Sequence, residues 1–158
     1  NTFSHLNDII LLSNTFLVVG NSGTILKIEI TDKVIIEKIP FMDSSNLSGT
    51  AVSDENKVYV TTESGMVYRT DDEFKAWELK SNTSGTVFKG IYFTQNKIGF
   101  AYGVSIDSSF LPDIYTNMYM IKTEDYGENW EENILPSCDA INDITFEDAQ
   151  NGYLIGEE

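Results

Sequence analysis

The sequence predicts an all-β protein built from consecutive four-stranded antiparallel sheets. Apolar and polar residues alternate in short runs that are rich in Val, Ile, Tyr and Phe, and no window carries a helical stripe of apolar residues. Gly, Asn, Asp and Ser, the usual turn residues, separate these runs. The same order of runs returns four times along the chain, which indicates one repeated sheet.

An apolar run that predicts an inner strand opens each repeat. The four runs are LNDIILL (6–12), GTAVS (49–53), KGIYF (89–93) and INDITF (141–146). The triplet Asn7-Asp8-Ile9 of the first run returns as Asn142-Asp143-Ile144 in the fourth. The repeats therefore share residues as well as a pattern.

A hairpin with a glycine turn and a closing strand follow each inner strand. Gly65 in the second hairpin follows Gly23 in the first by 42 positions. The hairpin segments are FLVVGNSGTILK (16–27), VYVTTESGMVYR (58–69), IGFAYG (98–103) with MYMIKT (118–123), and GYLIGEE (152–158), which ends before its turn. Closing strands are expected at 34–39, 77–79 and 130–135. Each complete unit thus contains four antiparallel strands.

The spacing between repeats identifies the architecture. Thr62 and Gly103 are 41 positions apart, whereas Trp77 and Trp130 are 53 apart, and one insertion of 12 residues explains the difference. A four-stranded unit that returns every ~40 to 45 residues is typical of a β-propeller. We therefore expect a partial propeller over 1–158. Its blades are expected at about 6–40, 47–80, 86–136 with the insertion at 105–116, and 140–158, the last one incomplete.

The segment KTEDYGENWEE (122–132) predicts a turn between the third and fourth strands of blade 3. It places Thr123, Asp125, Gly127, Asn129 and Trp130 in the pattern Ser/Thr-x-Asp-x-Gly-x-Thr/Asn-Trp. An Asp in such a turn can accept backbone N–H groups, and a Gly supplies a positive φ. The indole would anchor the hairpin between neighbouring sheets. We therefore interpret Asp125 as a structural acceptor and not as an acid catalyst.

Blade 2 carries an altered copy of this turn, TDDEFKAW (70–77). It keeps Thr70, Asp72 and Trp77, but it has Phe74 and Ala76 where Gly and Asn are expected. The corresponding segment of blade 1, IEITDKVI (28–35), keeps none of the pattern.

The turn pattern resembles the Asp-box of bacterial neuraminidase repeats. Together with VGNSGTILK, it is similar to the propeller repeats of photosystem II assembly and stability factors, and sortilin-type receptors, xyloglucanases and sialidases have similar repeats. The resemblance implies that the boxes lie on the side of the propeller away from the binding site. Because these families differ in activity, it implies a fold and leaves the function open.

Composition excludes several kinds of site. Ten Lys and Arg residues against 25 Asp and Glu residues give a net charge of −15, which disfavours nucleic acids and anionic membranes. Cys138 and His5 are the only residues of their types, so no internal disulfide and no His/Cys zinc site is expected. No apolar run reaches the ~20 residues of a membrane span. No metal or cofactor site is predicted.

Catalysis is not expected from this chain. Resemblance to sialidases implies three arginines that hold a substrate carboxylate, but Arg69 is the only arginine. A xyloglucanase-like mechanism would use a pair of carboxylates across a cleft, and nothing singles out such a pair among the 25 acidic residues.

The insertion VSIDSSFLPDIYTN (104–117) is the main departure from the repeat. In an antiparallel blade this hairpin emerges on the same face as the connectors between blades, opposite the box turns. Exposed aromatic and acidic side chains there would form a contact loop for a protein or a sugar. The alternative is a loop folded onto its own blade. The candidate partner-binding residues are Asp107, Phe110, Leu111, Asp113, Ile114 and Tyr115.

The sequence thus favours a non-catalytic propeller module that presents a face to a protein partner. The alternative is a glycan-binding or glycoside hydrolase propeller whose catalytic residues lie outside this segment. Three and a half blades do not close a ring, so we expect further blades of the same polypeptide, or partner chains, to complete it. The boxes and the lack of paired cysteines favour an extracytoplasmic or secreted location.

Overall fold

A computed structural model describes residues 4–94, 97–107, 114–132, 140–147 and 151–157. These ranges contain fourteen strands and no helix, so the all-β prediction is confirmed. The strands are β1 (Leu6–Leu12), β2 (Thr15–Gly20), β3 (Thr24–Ile30), β4 (Val34–Ile39), β5 (Leu47–Val52), β6 (Val58–Thr62), β7 (Met66–Thr70), β8 (Glu78–Asn82), β9 (Thr86–Phe93), β10 (Gly99–Asp107), β11 (Ile114–Thr123), β12 (Glu131–Glu132), β13 (Ala140–Phe146) and β14 (Gly152–Glu157).

Consecutive strands pair into antiparallel sheets, which we call blades 1 to 4. Blades 1, 2 and 3 are the sheets β1–β4, β5–β8 and β9–β12, and blade 4 is the pair β13–β14. The hairpin turns require glycine. Gly23 and Gly65 have φ of 61° and 81°, and an added Cβ at either would lie 2.1 Å from a carbonyl oxygen of the following connector. These two turns therefore lie directly against the chain that leads to the next blade.

The blades stack face to face, and an apolar core fills each boundary, which we call a seam. The seam between blades 1 and 2 contains Leu17, Val19, Ile25, Ile39, Leu47, Val58, Val60, Tyr68 and Trp77. The seam between blades 2 and 3 contains Ala51, Tyr59, Val67, Phe88, Ile91, Phe93, Ala101 and Ile121. Phe100, Tyr102, Met120, Ile141 and Ile144 fill the seam between blades 3 and 4. Burial of these side chains stabilises the stack.

The inner strands share an irregularity at one position. The pairing register shifts at Asn7, Ser48, Lys89 and Asn142, one in each blade. An extra residue of this kind bends a strand and increases its twist. Next to two of these bulges, Gly49 and Gly90 bring blades 2 and 3 into backbone contact, because a Cβ added to Gly49 would lie 2.7 Å from the Gly90 Cα.

Two details differ from the sequence prediction. The closing strand of blade 2, expected at 77–79, runs further, because β8 spans Glu78–Asn82 and β9 begins at Thr86. The insertion was expected as a loop, yet both of its stems are strands. Their ladder continues through Ser105↔Asn117 and Ile106↔Tyr115 to Asp107↔Ile114. We call this ribbon, residues 104–107 with 114–117, the arm.

Candidate functional site

Two candidate regions lie at opposite ends of β11. The arm occupies the Ile114 end of this ten-residue strand, and the turn with the Asp-box pattern follows its Thr123 end. At ~3.3 Å per residue, the two regions are about 30 Å apart. We call the side of the arm and the interblade connectors the connector face, and the opposite side the box face.

The turn around Asp125 is held by side-chain acceptors. The Asp125 carboxylate accepts hydrogen bonds from the Thr123 hydroxyl at 2.8 Å, the Asn129 backbone N–H at 2.9 Å and the Asn129 side-chain amide at 2.7 Å. The Gly127 N–H donates to the Thr123 hydroxyl oxygen at 2.9 Å. Burial alone would raise the pKa of Asp125, but these hydrogen bonds outweigh it and hold the pKa below its ordinary value. A general acid needs the opposite shift.

The Asp72 turn of blade 2 reproduces this arrangement in part. The Asp72 carboxylate accepts from the Thr70 hydroxyl at 3.0 Å, the Lys75 N–H at 3.1 Å and the Ala76 N–H at 3.0 Å. The backbone hydrogen bond from Ala76 is the main reason why the pKa of Asp72 is lowered. The bond from an Asn side chain is missing, since Ala76 stands at the position of Asn129.

Phe74 occupies the glycine position of the Asp72 turn with a left-handed backbone. Glu73 and Phe74 have φ of 57° and 70°, which match 59° at Tyr126 and 71° at Gly127 in the Asp125 turn. A bulky residue is strained in this region of backbone space. The Phe74 ring packs against the core of the blade 1–2 seam and stacks on Trp77 with centroids 6.3 Å apart.

The two tryptophans occupy equivalent places in successive seams. Trp77 is 6% exposed and belongs to the core between blades 1 and 2, where Phe41 contacts it edge-on at 5.3 Å. Trp130 packs against the core between blades 2 and 3 and contacts Phe93 edge-on at 6.1 Å. In the described part of the chain neither buried indole N–H has a hydrogen-bond partner. Each indole therefore packs its own blade against the preceding one.

Arg69 joins blade 2 to the Asp125 turn of blade 3. Its side chain is buried, and its guanidinium donates to the Tyr126 carbonyl at 3.1 Å and to Glu128 at 2.6 Å. It also pairs with Asp71 at 2.9 Å. Lys80 pairs with the second Glu128 oxygen at 2.8 Å. We call this group the Arg69 clamp.

The clamp leaves the arginine no capacity to hold a substrate carboxylate. Hydrogen bonds from Lys80 and Arg69 lower the pKa of Glu128 to about 2, so this carboxylate stays charged across the physiological range. The sole arginine therefore acts within the propeller, as a link between blades.

The predicted partner-binding residues are only partly within the described chain. Asp107 and Ile114 form the last described rung of the arm, and Tyr115 pairs with Ile106. The Ile106 N–H donates to the Gly85 carbonyl at 2.7 Å, so the arm lies beside the connector between blades 2 and 3. Phe110, Leu111 and Asp113 lie outside the described residues. The assignment of all six as contact residues stays a prediction.

Sequence reasoning missed the role of two inner-strand carboxylates. Asp8 accepts the Thr50 N–H of blade 2 at 2.8 Å, and Asp143 accepts the Tyr102 hydroxyl of blade 3 at 3.3 Å. Burial raises the pKa of Asp8, and the charge of Asp143 adds to the effect. Each carboxylate thus links its inner strand to an adjacent blade. The repeated Asn-Asp-Ile triplet was the available signal, but the role depends on contacts with the adjacent blade.

Neither a metal-binding cluster nor a membrane-spanning helix is seen in the ranges that the structure describes. No cluster of three or more His, Cys, Asp and Glu side chains is placed to hold a metal ion there. Within the same ranges, no helix has the length and apolar character needed to cross a membrane.

Comparison with known proteins identifies the fold. No protein-family model and no curated protein matches the sequence. A structure of YCF48 from Cyanidioschyzon merolae is similar with a TM-score of 0.72 and 15% identity, over 100% of this chain and 50% of that chain. A structure of YCF48 bound to a D1 peptide is similar with a TM-score of 0.64 and 11% identity, over 91% and 46% of the two chains. This chain thus spans about half the length of each.

At these identities the likeness shows the fold alone. It supports the propeller part of the resemblance drawn from the sequence, and the likeness to Asp-box repeats and to sortilin-type receptors stays a prediction. Three four-stranded sheets and one two-stranded sheet, stacked through apolar seams, are the described part of a partial β-propeller, the fold that the YCF48 structures share.

Proposed function

We propose that this chain is a non-catalytic binding module that presents its connector face to a protein partner, with the arm as the contact element. The observation that carries the proposal is the projection of the arm. In blade 2 the equivalent hairpin ends its pairing at Thr61 and turns at Thr62, whose counterpart in blade 3 is Gly103. In blade 3 pairing continues to Asp107, four residues beyond Gly103, which is about 13 Å at the usual rise per residue.

Such a ribbon is suited to a macromolecular partner. A projecting hairpin exposes side chains on both of its faces, and its free edges offer backbone groups for pairing. Loops and hairpins held by a rigid scaffold are frequent binding elements. A site for a small substrate would instead be a deep pocket, with other chain segments enclosing the ligand beside the arm.

The carboxylates singled out by the sequence pattern support a non-catalytic role. Asp125 and Asp72 both serve as acceptors inside their own turns, and hydrogen bonds keep the pKa of each below its ordinary value. Arg69 is held by the clamp. None of these three charged groups is thus placed to exchange a proton with a substrate.

The structural likeness adds support for a peptide-like ligand. One YCF48 structure holds a D1 peptide, so a propeller of this fold can accept a protein segment. Because this chain spans about half of that protein, a protein segment as the ligand of this chain is part of the proposal. The likeness to this peptide-bound structure favours a protein partner over a glycan.

A hairpin exchange tests the proposal. Residues 104–118 are replaced with Glu-Ser-Gly, the turn that joins β6 to β7, which removes the arm and keeps the blade. Peptides selected on the wild type from a phage-displayed random library should bind this variant at least about 10-fold more weakly, because the central contacts of an interface carry most of its affinity. A second variant, Phe110→Ser with Leu111→Ser, should show a smaller loss. Unfolding midpoints equal to that of the wild type would show that both variants are folded.

The same proteins are applied to a glycan array. The proposal expects no glycan bound by the wild type. Glycan binding that disappears in the exchange variant would establish the alternative, a sugar-binding propeller. Selected peptides that bind wild type and exchange variant equally would remove the arm from the binding face.

A further inference from the structure

On the box face, the seam between blades 1 and 2 is equivalent to the seam between blades 2 and 3, but only the second is closed by charged groups. Between blades 2 and 3, Arg69 reaches Glu128 in the Asp125 turn. In the preceding seam, Lys27 stands at the position of Arg69 and Lys75 at that of Glu128. Two lysines cannot form this ion pair. Blades 1 and 2 are fully described, and no ion pair joins them.

An open cleft lies where the clamp is missing. It has a volume of ≈ 620 Å³. One wall is formed by the β1–β2 turn and by β3 and β4 of blade 1, and the other by the β5–β6 turn and the Asp72 turn of blade 2. This volume falls within the range of ligand pockets. Its apolar lining consists of Leu12, Ile39, Val58 and Phe74. The strained backbone of the Asp72 turn thus holds an aromatic ring at the wall of the cleft.

The charged lining of the cleft is predominantly acidic. Its members are Lys27 and the carboxylates of Glu37, Glu55, Asp71 and Glu73. Two of these carboxylates already have cationic partners, since Glu55 pairs with Lys57 at 3.0 Å and Asp71 with Arg69 at 2.9 Å. They contribute little further attraction for a ligand.

Glu37 and Glu73 remain for a ligand. Lys27 pairs with Glu29 of its own strand at 2.7 Å. This hydrogen bond is the main cause of the raised pKa of Lys27, and the charges of Glu37 and Glu73 add to it. Since Glu37 belongs to blade 1 and Glu73 to blade 2, the negative field reaches Lys27 from both walls. Glu73 contacts Lys75 at 3.7 Å only, with both side chains largely exposed, so that pair is weak.

We propose that this cleft binds an extended peptide in which apolar side chains alternate with basic ones. Side chains of an extended peptide alternate between its two sides. Leu or Val side chains of the peptide would contact Leu12, Val58 and Phe74, while Arg or Lys side chains reach Glu37 and Glu73. The net charge of −15 favours the approach of such a ligand and disfavours a nucleic acid. This surface lies on the box face and is separate from the arm.

A fluorescent peptide of sequence Arg-Leu-Arg-Val-Lys is the probe, with blocked ends. We expect micromolar affinity at low salt, measured by fluorescence polarisation on the full chain, with weakening as salt is raised. Peptides Arg-Ser-Arg-Ser-Lys and Glu-Leu-Glu-Val-Glu should each bind at least about 10-fold more weakly, because the first lacks the apolar contacts and the second the charge.

Matched double variants locate the site. Glu37→Gln with Glu73→Gln should weaken the probe about 10-fold. Glu131→Gln with Glu132→Gln removes the same charge from an exposed strand of blade 3 and should change binding less than about twofold. Phe74→Gly restores the glycine of the motif, removes the ring from the cleft and should also weaken the probe.

Several outcomes would overturn the proposal. They are equal weakening by the two double variants, equal affinity for the Leu/Val and Ser peptides, or no binding of the probe at millimolar concentration. The hairpin-exchange variant separates this site from the proposed function. It should bind the probe like the wild type. If it loses the probe while the Glu37/Glu73 variant keeps it, the cleft is excluded and the arm is the peptide site.

Discussion

The turns around Asp125 and Asp72 reach the same backbone with different residues. The first has glycine at its left-handed position, and the second has Phe74. The preceding blade explains the exchange. A Cβ at Gly127 would lie 2.9 Å from the Tyr59 ring, whereas blade 1 has Leu17 at the position of Tyr59. The residue that a turn accepts is therefore set by the side chain across the seam as well as by its own φ.

The seam between blades 1 and 2 and the seam between blades 2 and 3 also differ in their polar contacts. Tyr59 donates its hydroxyl to the Tyr126 carbonyl at 2.7 Å, and Arg69 donates to the same oxygen. In blade 1 the equivalent residues, Leu17 and Lys27, have neither function. On the box face, polar links thus close one seam, whereas the other has no such links and carries the Phe74 ring at the wall of its cleft. We expect them to respond differently to substitution.

The largest effect is expected from Gly127→Phe. The ring would enter the space of Tyr59, and a bulky residue would be placed at φ of 71°. Backbone strain and overpacking together should lower the free energy of unfolding by about 3 kcal/mol. Urea denaturation measures it.

A second substitution makes this prediction specific. Tyr59→Leu should recover a large part of the loss when it is combined with Gly127→Phe, because the pair then copies Leu17 and Phe74. The double-mutant cycle should give a coupling energy above about 1 kcal/mol. Additive losses would mean that volume across the seam does not select the residue.

Breaking the clamp should have the next largest effect. Arg69→Met keeps most of the buried stem and removes the links to Asp71, Glu128 and the Tyr126 carbonyl. Because the carboxylates are half exposed and can be rehydrated, we expect a loss of about 2 kcal/mol, below the value for a fully buried pair. Thermal unfolding measures the loss.

Lys122→Met is the matched control for that change. Lys122 stands at the position of Arg69 in blade 3 and pairs with Glu124 in an exposed contact. Its removal should cost less than about 0.5 kcal/mol. Equal losses in the two variants would show that the clamp contributes no more than a surface ion pair.

The closed seam should also be the more sensitive to acid. The folded-state pKa of Glu128 is about 2, against an ordinary value of 4.5. A lowered pKa stabilises the fold fully above pH 4.5, and this contribution is lost as the pH falls towards 2. Glu128→Gln should therefore flatten the dependence of the unfolding free energy on pH within this window, with Glu131→Gln as the control. A slope like that of the wild type would contradict the clamp.

The sequence could predict the features that depend on neighbouring residues and on spacing. Alternation, glycine hairpins and the 42-residue register are local or periodic, so the strands and the stack of four-stranded sheets followed from them. Contacts across seams were out of reach. Gly127 faces the Tyr59 ring, Arg69 binds Glu128 and Asp8 binds Thr50, and each pair is more than 40 positions apart.

The conformation of the arm also depends on pairing between residues that are apart in the sequence. Its length was evident from the insertion, but its stems were predicted as a loop. The alternating Val104-Ser105-Ile106 run favours a strand once the partner residues of β11 lie opposite. Pairing between residues 104–107 and 114–117 therefore decided the conformation.

The smallest expected effect comes from exchanging one amide between the two turns. Asn129 donates its side-chain amide to Asp125, and Ala76 cannot do so for Asp72. Ala76→Asn should therefore raise the unfolding midpoint by about 1 to 3 °C and Asn129→Ala should lower it similarly, as expected for one partly exposed hydrogen bond in a domain of this size. Differential scanning calorimetry resolves such shifts. A midpoint lowered by Ala76→Asn would show that Phe74 has altered the turn enough to exclude the amide, so that the two turns share a backbone trace but not a hydrogen-bonding geometry.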